Sequence, residues 1–230
     1  MSDGSTVVLR ALGEDDVDAA VDEFDRTWGG SKAPVSPGES LALSRHFVLH
    51  FLEHATRADV AVLDGVVVGA IVTRIEGKPG IFPWGAERME RTDAALDASS
   101  VAARAELRKA RRWHVLDKEI EKAANVTSTA LGEVELFLVS AKARGHGVGR
   151  LLWRAAMDYF ARNSVTNCFL HTDSSCDMGF YDHQGFRRIS EESLREASPT
   201  LRDMARRDVI GVDRPHEKLF LCVGPTVRSV

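Results

Sequence analysis

The sequence predicts a mixed α/β (α+β) fold in which one sheet is flanked by helices, and three observations predict it. The stretch 133–160 passes from a strand pattern through a glycine-rich turn into a helix pattern. Val134 to Val139 is apolar, β-branched or aromatic, with Glu133 and Glu135 on one face, and Val148, Leu151, Leu152, Ala155, Ala156 and Tyr159 recur at helical spacing. Upstream, Asp64-Gly65 separates two β-branched runs and reads as a two-residue hairpin turn. Downstream, strand patterns at 166–172, 185–189 and 218–223 surround a short helix pattern at 176–184.

Taken in order, Thr6 to Arg10 reads as a first strand. Glu14-Asp15-Asp16 opens a helix with acids at the positive end of its dipole, and Val17, Ala20, Val21 and Phe24 form its apolar face. Trp28-Gly29-Gly30 ends it, and Pro34, Pro37 and Gly38 make residues 31–38 a loop. Residues 39–56 read as a second helix on which His46, His50 and His54 recur every four residues and form one stripe. Such a stripe suits a metal, the wall of an acceptor pocket, or a polar seam between core and solvent. The seam is the expectation, and no metal is expected, because no carboxylate or cysteine ligand is evident nearby. Ala58 to Leu63 and Val66 to Ile75 are the strands of the hairpin.

Residues 77–130 form a helical insert before the central strand. Its start, Gly77 to Gly85, is rich in glycine and proline and irregular; Glu87 to Ala124 lacks both and predicts one or two helices. Arg104, Arg108, Lys109, Arg111 and Arg112 cluster beside Trp113 and His114. Glu106, Asp117, Glu119 and Glu121 interleave with them, so a solvated helix face is the expectation rather than a grip on nucleic acid. A second excursion spans 191–216.

Length and composition bound the rest. At 230 residues, one decorated domain over 1–230 is the expectation. A net charge of −4 argues against nucleic acid as the main partner. No apolar run approaches the ~20 residues that span a bilayer. Met1-Ser2-Asp3-Gly4-Ser5 lacks the basic and apolar regions of a signal peptide, so the expectation is a cytoplasmic protein without a membrane partner. Cys168, Cys176 and Cys222 have neither metal-ligand spacing nor the even count of a disulfide framework.

The turn Arg144-Gly145-His146-Gly147-Val148-Gly149-Arg150 carries the chemistry. At a helix N-terminus, free backbone N–H groups and the helix dipole attract phosphate, glycine admits the ligand to the backbone, and the arginines add charge. The dinucleotide fingerprint and the P-loop both fail here, since the third glycine falls one residue early and no Gly-Lys-Ser/Thr follows. Arg144, Gly147 and Gly149 instead resemble the R/Q-x-x-G-x-G/A pyrophosphate loop of the GNAT acetyltransferase family. Gly179-Phe180-Tyr181-Asp182-His183-Gln184-Gly185-Phe186 resembles that family's F-Y-x-x-x-G-F segment. The likeness covers 131–190 well, and 6–76 and 217–223 loosely.

The resemblance implies a GNAT-like, mostly antiparallel sheet and an N-acetyltransferase that uses acetyl-CoA as acyl donor to a small-molecule or peptide amine, by direct attack in a ternary complex. It implies the backbone of Phe137, Leu138 and Val139 for the pantetheine arm, and Gly145, His146, Val148 and Arg150 beside the motif residues at the phosphates. Tyr181 would protonate the leaving thiolate, and Glu133 or Glu135 would take the amine proton. The family often has asparagine seven residues before the tyrosine; Ser174 stands there. The alternative is a module that binds acyl-CoA as a sensor without turnover. The insert then walls the acceptor site as a mobile lid, or makes a homodimer contact.

Overall fold

The computed structural model describes residues 6–29, 35–174, 176–193 and 218–227. Among the described residues there are seven strands: β1 Val7–Ala11, β2 Arg57–Leu63, β3 Val66–Ile75, β4 Gly132–Val139, β5 Asn167–Asp173, β6 Arg187–Ser193 and β7 Lys218–Pro225. They form one sheet in the order β1-β2-β3-β4-β5-β7-β6. The β1–β2, β2–β3, β5–β7 and β6–β7 pairs are antiparallel. The β4–β5 pair is parallel, with Gly132 opposite Cys168 and Glu133 opposite Phe169. The helices are α1 Val17–Trp28, α2 Pro37–Glu53, α3 Gly85–Asp97, α4 Val101–Ala124, α5 Val148–Arg162 and α6 Met178–His183. The predicted mixed fold and its order of elements are therefore present. The excursion predicted over 191–216 lies, beyond Ser193, outside the described residues, as do residues 31–34 of the predicted loop.

Among the boundaries that differ from expectation, two have a local reason. The second helix starts at Pro37 rather than residue 39, because Ser36 caps it. The Ser36 hydroxyl accepts from Glu39 N, the Glu39 carboxylate accepts from Ser36 N at 2.8 Å, and Pro37 fits the first turn, where no N–H is needed. The predicted helix 176–184 shortens to Met178–His183. It ends in paired bonds, Gly185 N to Asp182 O at 3.0 Å and Phe186 N to Tyr181 O at 3.1 Å, with Gly185 at φ +84 and Phe186 buried behind it. The Gly-Phe of the aromatic motif is thus a helix stop.

The chain divides into two compact units, residues 1–107 with 134–159, and 108–133 with 160–230. In the first, α1 and α2 pack Val17, Val21, Val48, Leu49 and Leu52 against Val60, Ala70, Val72, Leu136 and Leu138 of β2, β3 and β4. A smaller cluster joins Leu43 and Leu96 to Ala103 and Leu107 at the start of α4. Ser100 caps that helix: its Oγ accepts from Ala103 N, and its own N donates to Glu39. In the second unit, Leu116 and Ile120 of α4 pack on Phe169, Leu219, Leu221 and Val223 of β5 and β7.

The insert is helical, as predicted, in the form of α3 and α4. Its expected role as a mobile lid does not hold for α4. Ala103, Leu107, Ala110, Leu116 and Ile120 are each no more than 5% exposed, so this helix is part of the cores. Each such leucine contributes about 1.5–3 kcal/mol by burial, which a lid that opens to water would forfeit.

Candidate active site

Two places carry the predicted chemistry, one in each unit. In the first unit, β4 ends at Val139 and the chain makes a single 3-10 turn, Ala141–Ala143, before the glycine stretch. Ser140 holds this turn at both ends, with its N donating to Val68 O at 2.8 Å and its Oγ accepting from Lys142 N. Ala143, Val148 and Leu152 are buried and anchor the turn and the start of α5. Between those anchors Arg144, Gly145, His146, Gly147 and Arg150 are exposed, and Gly149 is half-buried.

Gly145 and Gly147 sit at φ +85 and +71, a region that side-chain-bearing residues rarely enter, and the space where a Cβ would stand is open at both. The first N–H groups of α5 have no intrahelical acceptor and carry the positive end of its dipole. The turn therefore joins open space, backbone donors and two guanidinium groups. That donor set fits a pyrophosphate. Phe137, Leu138 and Val139 lead into it along β4, with Leu138 buried and the Phe137 ring 5.6 Å from Trp153.

The two candidate bases have different surroundings. Glu135 is held by Arg74, whose Nε donates to its Oε1 at 2.9 Å. A charge-assisted bond of this kind is stronger than one between neutral groups. Glu133, in the second unit, is 4% exposed. The Lys118 Nζ lies 3.8 Å from its Oε2 and 2.8 Å from Glu121 Oε1. His171 joins them, its Nε2 3.2 Å from Glu121 Oε1 and its Nδ1 3.5 Å from Asp117 Oδ1.

Burial alone would favour the neutral imidazole of His171. Asp117 and the Glu121 hydrogen bond outweigh it and raise its pKa to about 9. Burial likewise would raise Glu121, but His171 and Lys118 hold it below its ordinary value. Asp117 is pushed up by burial, against the pull of His171. Ligand atoms of Glu121, Glu133 and His171 lie within 4.8 Å of one another, a spacing that also suits a cation, although the Lys118 ammonium already supplies positive charge there.

Tyr181, on α6, is half-buried, with Phe180 edge-on at 5.5 Å and Phe186 at 6.3 Å. Burial raises its pKa above that of a free phenol, with nearby Cys176 and Cys222 adding to the effect, so the hydroxyl keeps its proton at neutral pH. Ser174 serves the β5–β7 pairing, its N donating to Lys218 O and its Oγ accepting from Lys218 N. Burial pushes the Cys168 thiol up to about 12 and Cys222 up to about 11, which leaves both as inert packing. The histidine stripe separates along α2: His46 is buried and 2.6 Å from Asp93 of α3, while His54 caps the helix in solvent. The expectation that no carboxylate stands near the stripe is corrected by Asp93.

Lys118, Glu121 and His171 were not predicted site residues. Glu121 appeared in the sequence only as one acid among the interleaved charges of a helix face. The available signal was the pairing of strand positions: Phe169 faces Glu133, and His171 lies two residues on, on the same side of the sheet.

The profile of the acetyltransferase (GNAT) family matches residues 18–186. No curated protein sequence matches the chain. Among solved structures, the Escherichia coli ribosomal-protein-S18-alanine N-acetyltransferase is similar at 11% identity, covering 98% of this chain and 97% of that one, with a TM-score of 0.51. The mosquito protein arylalkylamine N-acetyltransferase like 5b is similar at 14% identity, covering 96% and 100%, with a TM-score of 0.55. An agmatine N-acetyltransferase is similar at 15% identity, covering 95% and 99%, with a TM-score of 0.56. At these identities the structures bear on the fold, and the family rests on the profile. The chain belongs to the GNAT acetyltransferase family and is an acyltransferase.

Proposed function

We propose that the chain transfers an acetyl group from acetyl-CoA, the acyl donor of its family, to an amine acceptor by direct attack in a ternary complex, as one GNAT domain with a helical insert. The observation that carries this reading is the open, cationic glycine turn at the start of α5, where two positive-φ glycines leave room against backbone donors. Arg144, Gly145, His146, Gly147, Val148, Gly149 and Arg150 hold the pyrophosphate. The edge of β4 at Phe137 to Val139 pairs with the peptide-like pantetheine arm. When bound, the donor supplies an activated thioester carbonyl.

Glu133 is the general base. An amine attacks only when neutral, so the proton of its ammonium form must go to an acceptor, and Glu133 lies on β4 beside the Lys118 ammonium while Glu135 is held by Arg74. The nitrogen–carbon bond forms as the carbon–sulfur bond breaks, Tyr181 donates its phenol proton to the leaving thiolate, and the proton that the nitrogen sheds on becoming an amide restores the phenol. Ser174, just past the end of β5, would meet the pantetheine arm with the hydroxyl that accepts from Lys218 N.

Release of free thiol from acetyl-CoA tests the reading, with a panel holding an arylalkylamine, agmatine and a peptide with an N-terminal alanine. Turnover with one of these is expected. Binding of CoA with no thiol release across the panel would make the chain an acyl-CoA sensor instead. Tyr181→Phe keeps the ring and removes the hydroxyl; kcat should fall about 10²-fold or more with CoA affinity little changed. Wild-type turnover in that variant would reduce Tyr181 to packing.

A further inference from the structure

The helix α4, inside the insert, delivers charge to one side of β4 and β5. Its Asp117 and Glu121 are one turn apart and face the sheet, with Lys118 beside them. Phe169 is the register partner of Glu133, and His171 follows two residues later on the same side. Leu116 and Ile120 of α4 pack on Phe169, which fixes the helix over that side. The result is a group that includes, among the described residues, Asp117, Lys118 and Glu121 from α4, Glu133 from β4 and His171 from β5.

Glu133 is 4% exposed, and a base must hold its negative charge until the amine gives up a proton. Cations that face that charge include Lys118 Nζ at 3.8 Å and His171, within 4.8 Å. Glu121 accepts from both Lys118 and His171 and so ties the two cations together.

We propose that Lys118, Glu121 and His171 are positioning residues for Glu133, two cations and their tie, so that the insert helix α4 belongs to the catalytic apparatus rather than to a lid. The proposal rests on Glu133 being the base. No proton passes through His171, which already carries its own; it and Lys118 act by charge and by fixing the Glu133 carboxylate.

Two measurements test this on the full chain. The first needs no acceptor. The His171 imidazole signal, identified by its loss in His171→Gln, is titrated by NMR in the wild type and in Glu133→Gln. Its midpoint should fall in the variant, because a facing negative charge is removed; an unchanged midpoint overturns the proposal. The second is the pH profile of kcat/KM for acetyl-CoA with the panel amine of highest turnover. Removing a cation beside the base makes that base easier to protonate, so the acid limb should move to higher pH. The expected shift is about one pH unit in His171→Gln. A smaller shift in the same direction is expected in Lys118→Met, whose half-exposed position makes it safe to fold, and Lys118→Arg should restore the limb. An acid limb that stays in place in both His171→Gln and Lys118→Met overturns the proposal while leaving Glu133 as the base. Full turnover in Glu133→Gln, or no turnover with any amine, removes the base reading itself and the catalytic claim with it.

Discussion

The glycine turn at 144–150 and the charged group around Glu133 present opposite physical states. The turn is exposed, carries positive φ at Gly145 and Gly147, and has room where side chains would stand. Its donors await a ligand. The group around Glu133 is closed: Lys118, Glu121 and His171 satisfy one another at 2.8 to 3.2 Å. One region is built to receive charge from outside, and the other to balance charge inside. The difference teaches where each is vulnerable. The turn should fail in ligand affinity while the fold survives, whereas the closed group should fail in protonation and in stability together.

The largest expected effect is on turnover. Glu133→Gln keeps the shape and removes the base, and kcat should fall about 10²- to 10⁴-fold. Affinity for CoA, measured by calorimetry, should stay near wild type, since the turn is untouched. Equal losses of CoA affinity and turnover would erase the distinction between the two regions.

Stability comes next. Leu116→Ala removes a side chain that is 1% exposed and packs α4 on β5 and β7, next to Asp117 in the chain. The expected cost is about 2–5 kcal/mol. Denaturant unfolding of the variant measures it. A loss below about 1 kcal/mol would mean that α4 is loosely attached, and would return the insert to the role of a lid.

The two regions also differ in how far a reader of the sequence can go. The turn is local: seven consecutive residues carry the glycines and the arginines, and a phosphate reading follows from backbone rules. The aromatic motif is local as well, since Gly185 and Phe186 stop α6 within two residues of its end. The hairpin at Asp64-Gly65 was legible for the same reason, with both residues at positive φ. The group around Glu133 joins positions 117 to 171 through the pairing of β4 with β5 and the packing of α4 on that pair, and periodicity within a segment carries neither. Likewise Asp93 reaches His46 across 47 positions, so the histidine stripe showed its spacing but not its partner. The two candidate bases looked alike in the sequence: Glu133 and Glu135 share a strand face, and the Arg74 pair on Glu135 joins positions 61 residues apart.

A third prediction sharpens the turn's side of the comparison. Gly147→Val places a β-branched residue at φ +71, at a strain of about 1–2 kcal/mol, and puts methyl groups where a phosphate would lie. Affinity for CoA should fall about tenfold or more by calorimetry, since 1.4 kcal/mol is a factor of ten. Thermal unfolding should shift by only a few degrees, because nothing packs at that site. Unchanged CoA affinity would remove the turn from the cofactor site.

The smallest expected effect is a pH dependence that belongs to one region only. His171 titrates at about 9 in the folded chain against an ordinary value of 6.5, so the native state binds this proton more tightly than the unfolded state. A raised folded-state value contributes stability that is fully present below about 6.5 and is lost as pH rises through about 9. Asp117 and Glu121 change charge on the acid side of that window and do not mask it. The melting temperature should therefore decline as pH rises from 6.5 to 9. In His171→Gln the decline should flatten, because no imidazolium remains to lose its proton. In Gly147→Val it should persist unchanged, because the turn has no part in this balance. A decline of equal slope in both variants would place its source elsewhere, and the closed group would then hold His171 without drawing stability from its charge.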